Sequence, residues 1–333
     1  MVCKIITNKL KLNRDLLHID NCSIFQSIEM FNVWKATKNN NPFFTIIENE
    51  RGEIIGSLLA VIQKEHQGAI GRLSSRSIIT GKPIYPKDDI ITLDALLKSY
   101  NKHVFGKAIY SQFRNLNEYS IEEKEIFIKN GFSYESHLDI IHDLGIPIDN
   151  QFSAIHKGRR KNIRRAERAE VIFREIKDDK EFHIAYELVK STYDRVKLPM
   201  PDRTLFTESH QQLAKQNILK TFVAVSNKKI IGCRMVLCFG DIVYDWYAGA
   251  SVEHLDKYPN DFLPWKVMEW GSLNGFKYFD FGGAGKPGVA YGVREHKLKF
   301  GGDLIEFGRF EKVHNKLLMK VGEFGLKIYK FVK

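Results

Sequence analysis

Apolar residues recur along this chain with two different periods, and these periods predict its helices and strands. A period near 3.6 residues is typical of an amphipathic helix, and strict alternation is typical of a half-buried strand. In the first half, the pattern predicts three helices, at residues 24–38, 90–103 and 121–130. It also predicts four strands, with the sequences FFTIIENE, EIIGSLLAVIQ, KAIYSQF and FSYESHLDIIHDL.

The second half of the chain repeats this order of elements. A strand with the motif Ile-Ile-Gly follows a polar turn in both halves, at EIIGSLL and at KIIGCRM. In both halves the last helix stops at Asn-Gly-Phe, residues 130–132 and 274–276, before a strand. A self-similarity of about 150 residues indicates an internal duplication. We therefore expect an α+β protein of two tandem domains, each a mostly antiparallel mixed sheet flanked by helices.

The domain boundaries that follow from this pattern lie near a proline and near the last strand. We expect the first domain at residues 1–147 and the second at residues 148–312. The basic amphipathic segment 313–333 is predicted to be a C-terminal helix that packs back on the body.

Composition limits the class of protein. Apolar residues make up 44% of the chain and charged residues 27%, as in globular proteins. No apolar run approaches the ~20 residues that cross a bilayer, and the N-terminal segment lacks the apolar core of a signal peptide. The four cysteines have no metal-binding spacing, so we expect reduced thiols and no metal site. These features predict a soluble cytoplasmic protein, with a peripheral position at the inner face of the membrane left open.

Positive charge is concentrated in one short segment. The chain has a formal net charge of +11, and residues 157–168 hold seven cationic side chains and one acid. On a helix, most of these cations share one face. They are Lys157, Arg160, Lys161, Arg164, Arg165 and Arg168. Such a stripe favours an anionic partner, which could be a nucleic acid, a phosphorylated substrate or an anionic membrane surface, although a solvated charged face is the plainer alternative. Ser153 is the predicted N-cap of this helix.

Glycine is concentrated in the segment 276–302, FKYFDFGGAGKPGVAYGVREHKLKFGG. An aromatic strand leads into the glycines, and cationic residues follow them. Glycine at this density indicates backbone conformations that other residues avoid, or a backbone brought close to a ligand. The segment is therefore a candidate site for an anionic group or a developing oxyanion, and a tight turn with solvated lysines is the alternative.

Several short motifs are spread over nearly the whole chain: FQS near the start, SRSIITGKP, RRKNIRRAER, YAGAS, and FDFGGA followed by VREHKLKFGG. Together these motifs resemble the FemABX group of peptidoglycan-bridge aminoacyltransferases and their relatives on a duplicated GNAT-type acyltransferase fold. The most specific family motif is close to FKxxFG, which here reads His296-Lys297-Leu298-Lys299-Phe300-Gly301. His296 thus stands where the family has phenylalanine.

The resemblance implies two tandem GNAT-like domains and transfer of an acyl or aminoacyl group to an amine of a cell-envelope precursor, in peptidoglycan or a surface glycan. Lys297 would stabilise the oxyanion of the reacting carbonyl, and Asp280 and His296 are the candidate bases. Lys35 and Arg203 lie near the places where the family binds the acceptor phosphate. The other expected substrate-binding residues are Arg294, Lys299, Gly282, Gly283 and Tyr247.

The donor is expected to be aminoacyl-tRNA, with no bound cofactor. GNAT enzymes that use coenzyme A carry a glycine-rich turn whose N–H groups hold pyrophosphate, and VEHLDKYPND stands at that point of the second domain. The first half has only a loose match, HQGAIGRL. Two alternatives stay open: an acyl-CoA-dependent N-acetyltransferase acting on an amino sugar or nucleotide sugar, and a non-enzymatic RNA- or membrane-binding protein.

Overall fold

A computed structural model describes residues 1–7, 22–65, 71 and 74–321. Fourteen strands are named here in chain order: β1 (Val2–Ile6), β2 (Asn40–Glu48), β3 (Ile54–Gln63), β4 (Arg76–Thr80), β5 (Tyr110–Arg114), β6 (Ser133–Glu135), β7 (Leu138–Asp143), β8 (Ile172–Glu175), β9 (Leu219–Ser226), β10 (Lys229–Phe239), β11 (Ile242–Ala250), β12 (Tyr278–Gly285), β13 (Asp303–Glu306) and β14 (Arg309–Val313).

The helices of the described residues are α1 (Ile28–Ala36), α2 (Ile90–Val104), α3 (Ile121–Lys129), α4 (Ile148–Ala154), α5 (Lys157–Arg168), α6 (Asp179–Arg195), α7 (Arg203–Leu213), α8 (Pro259–Leu273) and α9 (Gly292–Leu298), with residues 316–321 also helical. Short 3-10 turns lie at Ile24–Gln26, Ala214–Gln216 and Val252–Lys257. None of the described helices is both long and apolar enough to span a membrane.

The chain divides into two compact units, each built on a seven-stranded sheet. The first unit comprises Met1–Ser136 and Phe307–Lys333, and the second comprises His137–Glu306. The strand orders are β1-β2-β3-β4-β5-β14-β6 and β8-β9-β10-β11-β12-β7-β13. Within each described sheet, neighbouring strands are antiparallel except at the fourth and fifth positions, where β4 with β5 and β11 with β12 run parallel. The two sheets therefore have the same topology, as the predicted duplication requires.

This division differs from the boundaries predicted at 147/148 and 312/313. The segment FSYESHLDIIHDL forms two strands, of which β6 stays in the first sheet and β7 enters the second. Conversely, β14 leaves the second unit and enters the first sheet between β5 and β6. Burial explains the assignment: Ile140 of β7 is in the core of the second unit, and Phe310 of β14 stacks on Phe127 in the first. Alternation predicts strands but cannot predict which sheet they join.

The repeated sequence motifs have the same structural role in both units. Each Ile-Ile-Gly glycine lies under the first turn of a helix, where a Cβ atom would come within 2.6 Å of Thr92 for Gly56 and 2.9 Å of Pro259 for Gly232. The Asn-Gly-Phe glycines, Gly131 and Gly275, both have φ of +82° and end α3 and α8. These positions explain why glycine recurs there.

Of three local predictions, one was wrong and two fall largely outside the described residues. The basic helix does not begin at Ser153, because a break after Ala154 separates α4 from α5 and the His156 side chain accepts from the Gly158 N–H instead. Both HQGAIGRL, residues 66–73, and the end of the predicted C-terminal helix, residues 322–333, fall largely or wholly outside the described residues.

Candidate active site

The second unit has an opening between its two parallel strands. Strands β11 and β12 pair at only three positions, ending with Tyr244 opposite Asp280. Beyond this point β11 bulges at Trp246, because Val236 faces Asp245 while Met235 faces Tyr247. A bulge bends its strand and ends regular pairing. In the first unit the equivalent strands pair at all five positions of β4, so the opening is a feature of the second sheet.

Lys297 projects from α9 to the glycine turn at this opening. Its Nζ atom donates to the carbonyl oxygens of Gly282, at 3.1 Å, and Gly283, at 3.0 Å. Gly282 has φ of +74°, a conformation that strains residues with a Cβ atom, and it turns its carbonyl towards the ammonium group. The predicted grouping of Lys297, Gly282, Gly283 and the adjacent Asp280 is therefore present. A lysine ammonium has three donors, so its third N–H is available for a substrate atom.

Burial shifts the pKa values of both Lys297 and Asp280. Burial lowers the pKa of Lys297, although the carboxylates of Asp245, Asp139 and Asp280 oppose that change. Burial also raises the pKa of Asp280 to about 6, against the hydrogen bond from the Gly282 N–H at 2.7 Å and the attraction of Lys297. Perturbed pKa values in an opening of the fold are typical of catalytic groups.

A buried ion pair beside this opening was missed by the sequence analysis. Arg234 of β10 donates to Asp245 Oδ2 of β11 at 2.5 Å, and the Arg234 guanidinium lies over the Phe281 ring at 5.5 Å. Each is the single charge in the otherwise apolar part of its strand, KIIGCRMVLCF and IVYDWYAGA. A lone charge in the middle of a buried strand requires a partner. Because two neighbouring strands each contain one such charge, of opposite sign, the sequence pattern could have predicted this ion pair.

His296 occupies a different environment from its neighbour Lys297. Its Nδ1 accepts from Arg159 at 2.9 Å, and its ring packs edge-on against Phe300 at 5.5 Å. Burial and the nearby cations lower the pKa of His296 to about 4, so the ring is neutral near pH 7. Since arginine only donates, Nδ1 is the acceptor and the remaining ring nitrogen carries the proton. His296 thus lacks the unoccupied acceptor nitrogen that a general base requires.

Arg159 also connects this region to the start of α8. It forms an ion pair with the buried Asp261, which additionally accepts from Asn162 at 2.6 Å. Asp261 lies in the first turn of α8, where the helix dipole favours a negative charge. The neighbouring Pro259 has no N–H to donate, and the preceding residues form a 3-10 turn. The start of this helix therefore already carries a carboxylate, which disfavours a bound pyrophosphate.

The other predicted substrate-binding residues in the second unit have separate positions. Arg294 donates to the carbonyl oxygens of Ala284, Lys286 and Val289 and so holds the glycine loop. The Lys299 carbonyl accepts from the His156 N–H, which fixes the end of α9 to the start of α5.

Tyr247 lies directly after the bulge of β11 and belongs to an aromatic cluster. Its ring contacts those of Tyr193 at 5.7 Å, Phe206 at 4.6 Å and Trp246 at 4.9 Å between centroids. Burial, followed by the charge of Asp245, raises the pKa of Tyr193 to about 12. The aromatic cluster and the Asp245 carboxylate are therefore neighbours.

The basic stripe on α5 is present, with one change from the prediction. A shallow cleft of about 410 Å³ is lined by Lys157, Arg160, Lys161, Arg164 and Arg168. Arg165 points elsewhere and donates to the Tyr258 hydroxyl at 3.0 Å. Ile163 and Ala166 anchor the opposite face of the helix in the core. The cleft-lining side chains span the twelve residues of α5, or about 16 Å along the helix.

Lys35 and Arg203 lie in different units. In the first unit, Lys35 lines a cleft of about 340 Å³ together with Lys64, His103 and Lys107. In the second unit, Arg203 contacts His183 at 3.2 Å and lies over a tyrosine ring. Of these two residues, Lys35 shares its cleft with other lysines, whereas Arg203 lies beside a histidine and a tyrosine.

Known proteins share this architecture. Residues 155–297 match the family model of the acetyltransferase (GNAT) domain. FemX has a TM-score of 0.74 at 15% identity, covering 96% of this chain and 99% of its own. The C-terminal domain of a putative lysylphosphatidylglycerol synthetase from Agrobacterium fabrum has a TM-score of 0.58 at 13% identity, covering 94% and 93%. A tandem GNAT protein from the clavulanic acid biosynthesis pathway has a TM-score of 0.57 at 8% identity, covering 94% and 99%. No curated protein sequence matches the chain.

These structural likenesses, at low identity, establish the fold. The predicted α+β architecture of two tandem GNAT-like domains is confirmed.

Proposed function

We propose that this chain, which has a tandem GNAT fold, is a FemABX-like acyltransferase that joins an aminoacyl group from tRNA to an amine of a cell-envelope precursor. The attacking amine nitrogen forms a bond to the ester carbonyl carbon of the donor. The bond from that carbon to the tRNA ribose oxygen breaks, and the proton lost by the amine passes to the leaving oxygen. The product is an amide.

The position of Lys297 is the observation that carries this proposal. Two of its three N–H donors bind the carbonyl oxygens of Gly282 and Gly283, so the ammonium is held in place before any substrate binds. The third donor supports a negative charge as it develops on the donor's carbonyl oxygen. A fixed donor in a buried site is worth about 10²–10³ in rate.

Asp280 supplies the proton acceptor in this scheme. Its pKa of about 6 allows it to be ionised near pH 7 and yet basic enough to take a proton from the attacking amine. Its hydrogen bond from the Gly282 N–H fixes it beside the turn that positions Lys297. His296 has no part in the proton transfer, because Arg159 occupies its acceptor nitrogen.

Two features of the second unit favour tRNA over coenzyme A as the donor. The first turn of α8 holds Asp261 and Pro259 where a pyrophosphate would require free N–H groups and no negative charge. The α5 stripe offers five cations along one face, as a phosphodiester backbone requires.

The acceptor proposal rests on the first unit and on the relatives. The Lys35 cleft contains three lysines and a histidine, which suit the phosphates of an activated cell-envelope precursor. The fold is similar to that of FemX and of a putative lysylphosphatidylglycerol synthetase. The chain would work in the cytoplasm or at the inner face of the membrane.

The donor assay tests this function. The full-length protein is incubated with a mixture of radiolabelled aminoacyl-tRNAs or with acetyl-CoA, together with a cell-envelope precursor fraction, and loss of the acyl group is followed. We expect consumption of aminoacyl-tRNA and formation of an amide that resists mild alkali. Turnover of acetyl-CoA alone would favour an N-acetyltransferase acting on an amino sugar, and turnover of neither would indicate a binding protein.

A binding assay tests the α5 stripe separately. Replacing Arg160 and Arg164 by glutamine should reduce the slope of log K against log salt for tRNA by about 1.4, since each single-strand phosphate contact contributes about 0.7. Lys228, in the turn before β10, and Lys229, the first residue of β10, provide the matched control, because both are exposed and their replacement removes the same charge. An unchanged slope in the arginine variant would assign the stripe to another partner.

A further inference from the structure

Asp245 has a carboxylate oxygen that the fold leaves without a partner. Arg234 binds its Oδ2 atom, but among the described residues Asp245 Oδ1 and Arg234 Nε have no hydrogen-bond partner. The two side chains are only 11% and 7% exposed. Buried polar atoms of this kind usually have a partner, so an exception beside an active site indicates a place for a substrate atom.

The surroundings of Asp245 suit a cationic or amine group. The carboxylate lies in the bulge of β11, at the point where β11 and β12 separate. Tyr193, Trp246 and Tyr247 of the aromatic cluster are adjacent, and their ring faces attract cations. Asp245 is also the carboxylate that most strongly favours the charged form of Lys297. A Cβ atom placed on Gly282 would lie 3.9 Å from both the Asp245 carbonyl oxygen and Lys297 Nζ, so the two residues border the same glycine turn.

We propose that Asp245 Oδ1, with Arg234 holding the other oxygen, binds the primary amine of the acceptor at the opening between β11 and β12. This inference rests on the proposed function and adds the acceptor side to it. Asp245 accepts one N–H of the amine and so directs the nitrogen lone pair to the carbonyl that Lys297 binds. The proton lost on attack leaves through Asp280. An acceptor with a primary amine is thereby selected over one with a hydroxyl group, which cannot donate two hydrogens.

Binding of a small amine tests this site without the natural substrates. The probe is n-butylammonium, with n-butanol as the neutral analogue, and the indole N–H signal of Trp246 is followed in ¹H–¹⁵N NMR spectra of the full-length protein. We expect a saturable shift with n-butylammonium and at least tenfold weaker binding of n-butanol. Asp245→Asn should weaken amine binding at least tenfold.

Two further variants separate binding from folding. Asp245→Asn alone leaves the Arg234 guanidinium without its anion, so the double variant Arg234→Gln with Asp245→Asn provides a neutral pair of similar size. It should also lose amine binding. Asp241→Asn, which alters an exposed turn carboxylate that pairs with Lys277, should bind the amine as the wild type does. Equal amine binding by wild type and the Asp245 variants, or no saturable binding by wild type, would overturn the proposal.

Kinetics distinguish failure of this inference from failure of the proposed function. With aminoacyl-tRNA and precursor, Asp245→Asn should raise the KM for the acceptor at least tenfold and leave the KM for the donor unchanged. If the variant keeps the wild-type acceptor KM, the amine site is wrong while the transfer reaction stands. If the wild type binds the amine but transfers no acyl group, and the Asp245→Asn variant no longer binds the amine, the amine site stands and the proposed transfer reaction is wrong.

Discussion

The burial of Asp280 predicts how its replacement changes the free energy of unfolding, and this can be measured without a substrate. Its carboxylate is buried, and the rise of its pKa from 3.8 to about 6 shows that the fold disfavours the charged form. One pKa unit corresponds to about 1.4 kcal/mol, so the charged form costs about 3 kcal/mol near neutral pH. Asp280→Asn resembles the protonated acid, and its extra amide donors cost about 1 kcal/mol. The variant should therefore be more stable than wild type by about 2 kcal/mol near pH 7.5.

The effect should depend on pH with a defined sign. Because the folded pKa is raised, this group contributes stability below the unfolded pKa and loses that contribution as pH rises through about 6. Between about pH 4.5 and pH 7.5, the wild type should lose about 2 kcal/mol that the Asn variant keeps. The advantage of the variant near pH 7.5 should thus disappear near pH 4.5.

Urea unfolding at the two pH values measures this difference. Tryptophan fluorescence reports mainly on the second unit, which contains Trp246, Trp265 and Trp270. If Asp280→Asn destabilises the protein near pH 7.5, or if its effect changes by less than about 0.5 kcal/mol between the two pH values, the burial argument for Asp280 is wrong.

Two further predictions concern packing and buried hydrogen bonds. Gly249→Ala should destabilise the second unit by about 3 kcal/mol, because the new Cβ atom would lie 2.4 Å from the Leu188 backbone. Gly292→Ala is the control: nothing lies within 4 Å of a Cβ atom there, so urea unfolding should change little. Gln26→Leu should destabilise the first unit by about 2–3 kcal/mol, because the Gln26 amide bridges Leu59 and the Thr80 carbonyl where β3 and β4 stop pairing. A loss below about 0.5 kcal/mol in thermal melts would refute the prediction for Gln26→Leu, and Glu50→Ala, at an exposed turn residue, is the comparison.

The order of elements could be predicted from the sequence because it depends on local patterns. The Ile-Ile-Gly and Asn-Gly-Phe motifs fix the repeat, since their glycines meet the same steric demands in both units. The exchange of β7 and β14 could not be predicted in this way. Both segments alternate as any strand does, and only the fit of side chains such as Phe310 into a distant core determines the sheet.

The candidate site was predictable where one segment contains it. Asp280, Gly282, Gly283 and Lys297 lie within eighteen residues, and the glycine turn brings them together. Arg234 and Asp245 were missed because their pairing depends on the register of β10 and β11 at a bulge. The role of His296 also required the structure, since its partner Arg159 is 137 residues away.

The rate of acyl transfer by Lys297→Met tests the proposed oxyanion role of this lysine most directly. We expect kcat to fall by about 10²–10³ while the acceptor KM and the thermal melting point stay near wild-type values. Lys190→Met, which removes an exposed lysine from α6, should keep the wild-type rate. A Lys297→Met enzyme within about threefold of wild type would contradict the claim that this lysine stabilises the transition state.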